Sequence, residues 1–206
     1  MEISAVSCLP QDPRKYYSNL VAVSFWASNC VEIFSIERSH PRLKSLCKTS
    51  ALASIPRSLL FYDFCRCVDG PENHVHLLVG LGNGTIVSFA MKHGELINQK
   101  SVPLGGAPVC MTAYDIEGRP AVFASGGMTS IFFWDKNRLQ NSPIVFKVRL
   151  HSFFSSNLKS FQDVAAASSL NTRTFASCLI LATVSGLFIG KAGQLNQLHI
   201  QSVCDF

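Results

Sequence analysis

Apolar residues in this chain occur in short runs that rarely keep the i, i+3, i+4, i+7 spacing of a buried helix face. The runs are rich in β-branched and aromatic residues and are separated by Gly, Asn, Ser and Pro, the pattern of strands joined by tight turns. The run types also recur in a fixed order. The first quarter reads EISAVSCL, NLVAVSFW, a turn at Ala27-Ser28-Asn29, CVEIFSI and PRLKSLCK. The second reads RSLLFYDFC, HVHLLVGL, a turn at Gly82-Asn83-Gly84, TIVSFAM and ELINQKSV. The third reads APVCMTAYD, RPAVFASG, a turn at Gly127-Met128, TSIFFWD and a less clear strand after Leu139. The fourth reads FQDVAAASS, FASCLILATV, a turn at Ser185-Gly186, LFIGK and QLNQLHIQSV.

The quarters start near residues 2, 57, 107 and 161, a period of roughly 50–55 residues. Four strands per unit at such a period predict an all-β fold, a partial β-propeller of about four four-stranded blades, near 1–56, 57–106, 107–160 and 161–206. The second run of each quarter is almost continuously apolar, as a strand covered on both faces must be. Outer runs such as PRLKSLCK mix in charges because they meet water. Closed propellers usually take more than four blades, so the expectation is an incomplete ring whose remaining blades lie on a longer protein, or a truncated product.

Composition agrees with a folded chain: 48% of residues are hydrophobic and 15% charged. No apolar run reaches the roughly 20 residues of a membrane helix, since Ala176 to Gly190 is broken by Thr183, Ser185 and Gly186. The start, Met1-Glu2-Ile3-Ser4, has neither a basic n-region nor an apolar h-region. A chain of the nucleus, and also of the cytoplasm, is expected, with no membrane partner. The eight cysteines form no CxxC pair and are read as reduced, buried thiols. Cys65 and Cys67 with His74 and His76 match no zinc spacing, so neither a metal nor another cofactor is expected.

The formal charge of +5 is uneven, because Lys136 to Gln162 holds five basic residues and no acid, with Phe146, Phe153, Phe154 and Phe161 interleaved. A surface loop insertion with a solvated basic face is expected there. Lys147, Arg149 and Lys159 would be its weak, non-specific nucleic-acid contacts. Gly80 to Gly84 precedes a strand and not a helix, so it is a turn, with Asn83-Gly84 the favoured type I′ pair, and not a dinucleotide loop. Nothing resembles a nucleophile elbow or a P-loop, and the acids are mostly scattered singly, so the balance favours a binding scaffold over an enzyme. Trp26 closes an apolar run just before a polar turn. It can fill core, or it can stand at a blade rim as an interface anchor.

Several segments resemble the family of the large subunit of the damaged-DNA-binding protein, a family of three-propeller proteins. They are EISAVSCLP, LVAVSFWASNCVEIFSI, SIPRSLL, HLLVGLGNGTIVSFAM, GELINQKSVPLGGAPV and LNQLHIQSV, in the same order and spacing. The resemblance places the chain on the later blades of the second propeller, about a fifth of a full-length member. It departs at Asn141 to Phe161, which is longer than the family counterpart, and at TSIFFWD. A diverged paralogue and a read-through intron both fit those departures.

The resemblance implies an adaptor of a cullin-RING ubiquitin ligase in DNA repair and protein turnover. Its second propeller docks a cullin-4 scaffold, and its other two hold substrate receptors. The family's cullin-facing acid, tryptophan and arginine match Glu2, Trp26 and Arg57 here. Two related propeller families, of the splicing branch-site complex and of the cleavage and polyadenylation factor, read less closely at IPRS and GLGNG. They supply the alternative, an RNA-processing scaffold with nucleic-acid binding. A propeller-based hydrolase is a more distant third reading.

Overall fold

The computed structural model describes residues 2–9, 19–36, 42–65, 74–116, 118–148, 164–170, 178–183, 186–194 and 197–205. Every regular element among them is a strand, and the strands form four sheets. The first is β1 (Ile3–Cys8), β2 (Leu20–Phe25), β3 (Val31–Ile36) and β4 (Leu43–Lys48), hydrogen-bonded in that order. The second is β5 (Pro56–Asp63), β6 (Val75–Leu81), β7 (Thr85–Lys92) and β8 (Glu95–Pro103). The third is β9 (Cys110–Ile116), β10 (Arg119–Ser125), β11 (Thr129–Asp135) and β12 (Arg138–Pro143). The fourth joins β14 (Val164–Leu170), β15 (Cys178–Thr183), β16 (Gly186–Gln194) and β17 (Gln197–Asp205) to a fifth strand, β13 (Val145–Val148).

Apart from β13, which lies beside β17, each sheet is an antiparallel meander of neighbours in sequence, and successive sheets pack face to face through their first strands, β1 on β5, β5 on β9 and β9 on β14. This is the propeller architecture that the repeat predicts. The second strands show why it holds. In β6 every residue is buried, yet consecutive side chains serve different interfaces. Leu77 and Val79 pack with Leu20, Ala22 and Ile33 of the first sheet, whereas Leu78 packs with Val122, Ala124 and Phe132 of the third. In β10 the alternation repeats, with Ala121 and Phe123 turned toward Leu179, Leu181 and Phe188 of the fourth sheet. A strand with two buried faces has no position left for a polar side, hence the continuous apolar runs.

Three details differ from the reading of the sequence, and a fourth lies partly outside the described residues. The region expected to be a basic loop insertion holds two strands within its first half. Arg138–Pro143 completes the third sheet, as the less clear strand expected after Leu139, whereas Val145–Val148 was not expected and runs parallel to β17, pairing Lys147 with His199. Capping the outer edge of β17 satisfies backbone groups that a free edge would leave to solvent. The turn at Asn83-Gly84 is not type I′, because the positive φ, 81°, falls on Gly84 while Asn83 stays at negative φ. Gly84 donates its N–H to the Leu81 carbonyl at 3.2 Å, which makes a three-residue connection. Both central residues have positive φ instead at His93-Gly94 and Lys136-Asn137, the two-residue hairpins of β7–β8 and β11–β12. Cys8, Cys30, Cys47, Cys65, Cys110 and Cys178 are free, but of these only Cys178 is buried, and Cys8 is exposed because it alternates with inward-facing residues of β1. Finally, the turn expected at Ser185-Gly186 lies partly outside the described residues, although Gly186 already pairs with Thr183.

Candidate interaction surface around Trp26

Glu2, Trp26 and Arg57 come together at one end of the first two sheets. Antiparallel pairing sets Ile3 opposite Phe25, so the residues just outside that pair, Glu2 and Trp26, are neighbours. Trp26 donates its backbone N–H to the Glu2 carbonyl at 3.0 Å, and both side chains are exposed. Arg57 arrives from β5 of the next sheet. The register of β5 on β6 shifts between Pro56 and Ser58, which leaves Arg57 as the extra residue of a bulge. Bulges re-aim side chains, and this one sets the Arg57 guanidinium carbon 4.4 Å from the centroid of the Trp26 ring.

The support beneath the stack comes from a turn that the sequence reading treated only as a turn. Gly82 donates its N–H to the Ile55 carbonyl at 3.0 Å, and a Cβ there would reach ordinary contact with the Arg57 Cγ at 3.5 Å. SIPRS and GLGNG, widely spaced in sequence, therefore meet at one place. Trp26 remains 41% exposed, which fits a rim residue and not core filling. A stacked cation and indole give a flat, amphipathic surface with little conformational freedom left to lose on binding.

The second set of expected contacts is not assembled in this way. Lys147 lies on the outermost strand of the fourth sheet, and Arg149 and Lys159 lie outside the described residues. Of the Cys and His considered for a metal, His74 Nδ1 sits 2.7 Å from an Asp63 carboxylate oxygen. His76 packs edge-on to Phe64, with ring centroids 5.7 Å apart. Cys67 lies outside the described residues, and no cluster of three metal-ligating side chains occurs among those described.

Stacked four-stranded sheets with an exposed aromatic at the rim define a β-propeller module of the kind that binds through its surfaces. The family described as the RSE1/DDB1/CPSF1 second beta-propeller matches residues 1–192, and the chain belongs to that family. Similar proteins include DNA damage-binding protein 1 of Solanum lycopersicum, 28% identical over 96% of this chain, and that of Oryza sativa subsp. japonica, 29% identical over 98%. The Drosophila melanogaster protein of the same name is 27% identical over 98% of the chain. The chain spans only 16% of the length of each of these relatives. The family supports a scaffold or adaptor role.

Proposed function

We propose that the chain is a docking module of a cullin-RING ubiquitin ligase adaptor, catalysing nothing itself and acting in the nucleus, and also the cytoplasm, in DNA repair and protein turnover. Its partner at the Trp26 surface would be a cullin-4 type scaffold. Substrate receptors would be held by further propellers of a longer protein. The observation that carries this reading is the stack of Arg57 on Trp26 beside Glu2. The three residue types implied by the family resemblance sit side by side on an exposed surface, although they come from two sheets. An aromatic anchor supplies contact area, and the flanking charges set register and association rate.

A pull-down from nuclear extract tests it. Cullin subunits recovered by the chain and lost with Trp26→Ala support the adaptor reading. Spliceosomal or polyadenylation subunits in their place would move the chain to the RNA-processing branch of the same family. Turnover of ester or phosphate substrates would overturn both.

A further inference from the structure

A second site lies between the second and third sheets, at the opposite ends of the strands from Trp26. There a cleft of about 430 Å³ opens between the outer strands, lined by His76, Asn98, Lys100, Trp134, Asn137 and Arg138 among others. That is a volume in which small ligands or a few peptide side chains fit. His76, only 6% exposed, sits low in the cleft, while Lys100, Arg138, Asn98 and Asn137 are exposed at its mouth.

The architecture fixes this set. Lys136 and Asn137 form a two-residue hairpin with both φ values positive, which places Arg138 at the first position of β12. Asn98 has φ 54° within the irregularity that shifts the register of β8 on β7. The wall behind is an aromatic row: Tyr62 packs on Phe64 at 4.9 Å, Phe64 on His76 at 5.7 Å and His76 on Trp134 at 5.5 Å.

Two features point to an anionic ligand. The lining side chains among the described residues include two cations and no carboxylate. The Trp134 indole N–H is buried and finds no acceptor among the described residues, a donor that a native interior rarely leaves unsatisfied. We propose that this cleft binds an acidic peptide segment, one carboxylate received by Lys100 and Arg138 and the indole N–H, with the adjoining chain laid against the Trp134 ring and Leu139. Nucleic acid fits less well. A phosphate backbone is bound along a continuous basic groove, whereas here the cations are two and the site is closed at its base by His76.

The chain has two tryptophans, so Trp26→Phe leaves Trp134 as the sole indole reporter. In that background a capped hexaglutamate peptide should change the Trp134 emission and bind saturably in fluorescence anisotropy. Lys100→Gln and Arg138→Gln, both at exposed positions, should each weaken binding roughly tenfold, as loss of a charge-assisted contact does, with unchanged circular dichroism. Lys48→Gln on the first sheet should leave affinity unchanged. Equal losses from Lys48→Gln, or no loss from the two cleft variants, would overturn the proposal. So would a uridine oligonucleotide that binds more tightly than the peptide and depends on the same two cations.

Discussion

Ser58 donates its hydroxyl to the Val109 carbonyl at 2.6 Å, a bond that ties the first strand of the second sheet to the chain entering the third. The same device joins the first two sheets, where the Phe61 N–H donates to Ser7 Oγ at 2.8 Å. Most blade contacts are apolar and non-directional, so these bonds, together with Tyr62 O–H to the Tyr114 carbonyl at 3.4 Å and the Val109 N–H to the Leu81 carbonyl at 3.4 Å, fix how one sheet sits on the next. Ser58→Ala should cost about 1–2 kcal/mol by leaving a carbonyl without its partner, read from urea unfolding. Gly80→Ala should cost more, because the new Cβ would collide with Ser58 Oγ and press on the Val109 carbonyl at 3.0 Å.

Gly84 combines a positive φ of 81° with a close approach, since a Cβ there would run into the Gly105 carbonyl of the next connection. Gly105 in turn has φ 93°, and its own Cβ would lie 2.8 Å from the Gly127 Cα. The rim of these sheets is closed by backbone against backbone. Gly84→Ala should therefore destabilise by more than the ~1–2 kcal/mol of the left-handed conformation alone. Thermal unfolding of the variant would check it, and a melting temperature equal to the parent would show that the rim can open without cost.

These residues also show what was legible beforehand. The runs Leu77–Leu81 and Ala121–Ala124 announce strands buried on both faces, because no polar residue interrupts them. The four residues of β13 did not announce themselves, since Val145–Val148 pairs with a strand some fifty positions later and only that pairing makes it part of a sheet. Glu2, Trp26 and Arg57 were legible through family resemblance, but their contact depends on a bulge at Arg57 that no residue pattern marks. His76 and Trp134 each read as ordinary members of strand-like runs. Their juxtaposition is a product of how two sheets stack.

Burial in the cleft wall pushes the His76 imidazole down, from 6.5 to about 4, with the backbone carbonyl of His74 opposing the shift and the Lys100 and His74 charges adding to it. The unfolded chain then binds the proton more readily than the folded one. Stability from neutral His76 is complete above about pH 6.5, falls as pH drops through the interval between 6.5 and 4, and changes no further below it. The full effect is at most about 3 kcal/mol. His76→Phe should flatten this part of the stability–pH curve in urea titrations from pH 7 to 4. An unchanged slope would show that His76 stays accessible to water.

The first sheet carries a row of exposed apolar side chains. Ala5 and Ser7 face the second sheet, so the intervening Val6 turns away and is 50% exposed. Leu43, opposite Ile36, is 59% exposed and Ile36 39%. Exposed apolar side chains of this kind drive association. The isolated chain should elute from gel filtration as oligomers, and Val6→Lys with Leu43→Lys should shift it toward monomer. A compact parent monomer would mean that the face is covered in solution.

The Arg57–Trp26 stack gives the sharpest test of the proposed docking surface. Its geometry, 4.4 Å from guanidinium carbon to ring centroid, is that of a cation–π pair at a solvent-exposed site, worth about 0.5–1 kcal/mol. Trp26→Ala and Arg57→Glu should therefore leave the protein folded, with melting temperatures close to the parent. Their effect on cullin binding should be far larger. Loss of the aromatic anchor should weaken it by about 2 kcal/mol, chiefly through faster dissociation. Charge reversal at Arg57 should slow association in a salt-dependent manner. Because the two side chains touch, the double variant should lose less than the sum of the single losses in a mutant cycle. Surface plasmon resonance against a purified cullin-4 N-terminal region separates these rates. Folded variants that bind as the parent does would place the docking surface elsewhere on the propeller. Strictly additive losses would mean that Trp26 and Arg57 contact the cullin independently and not as one stacked unit.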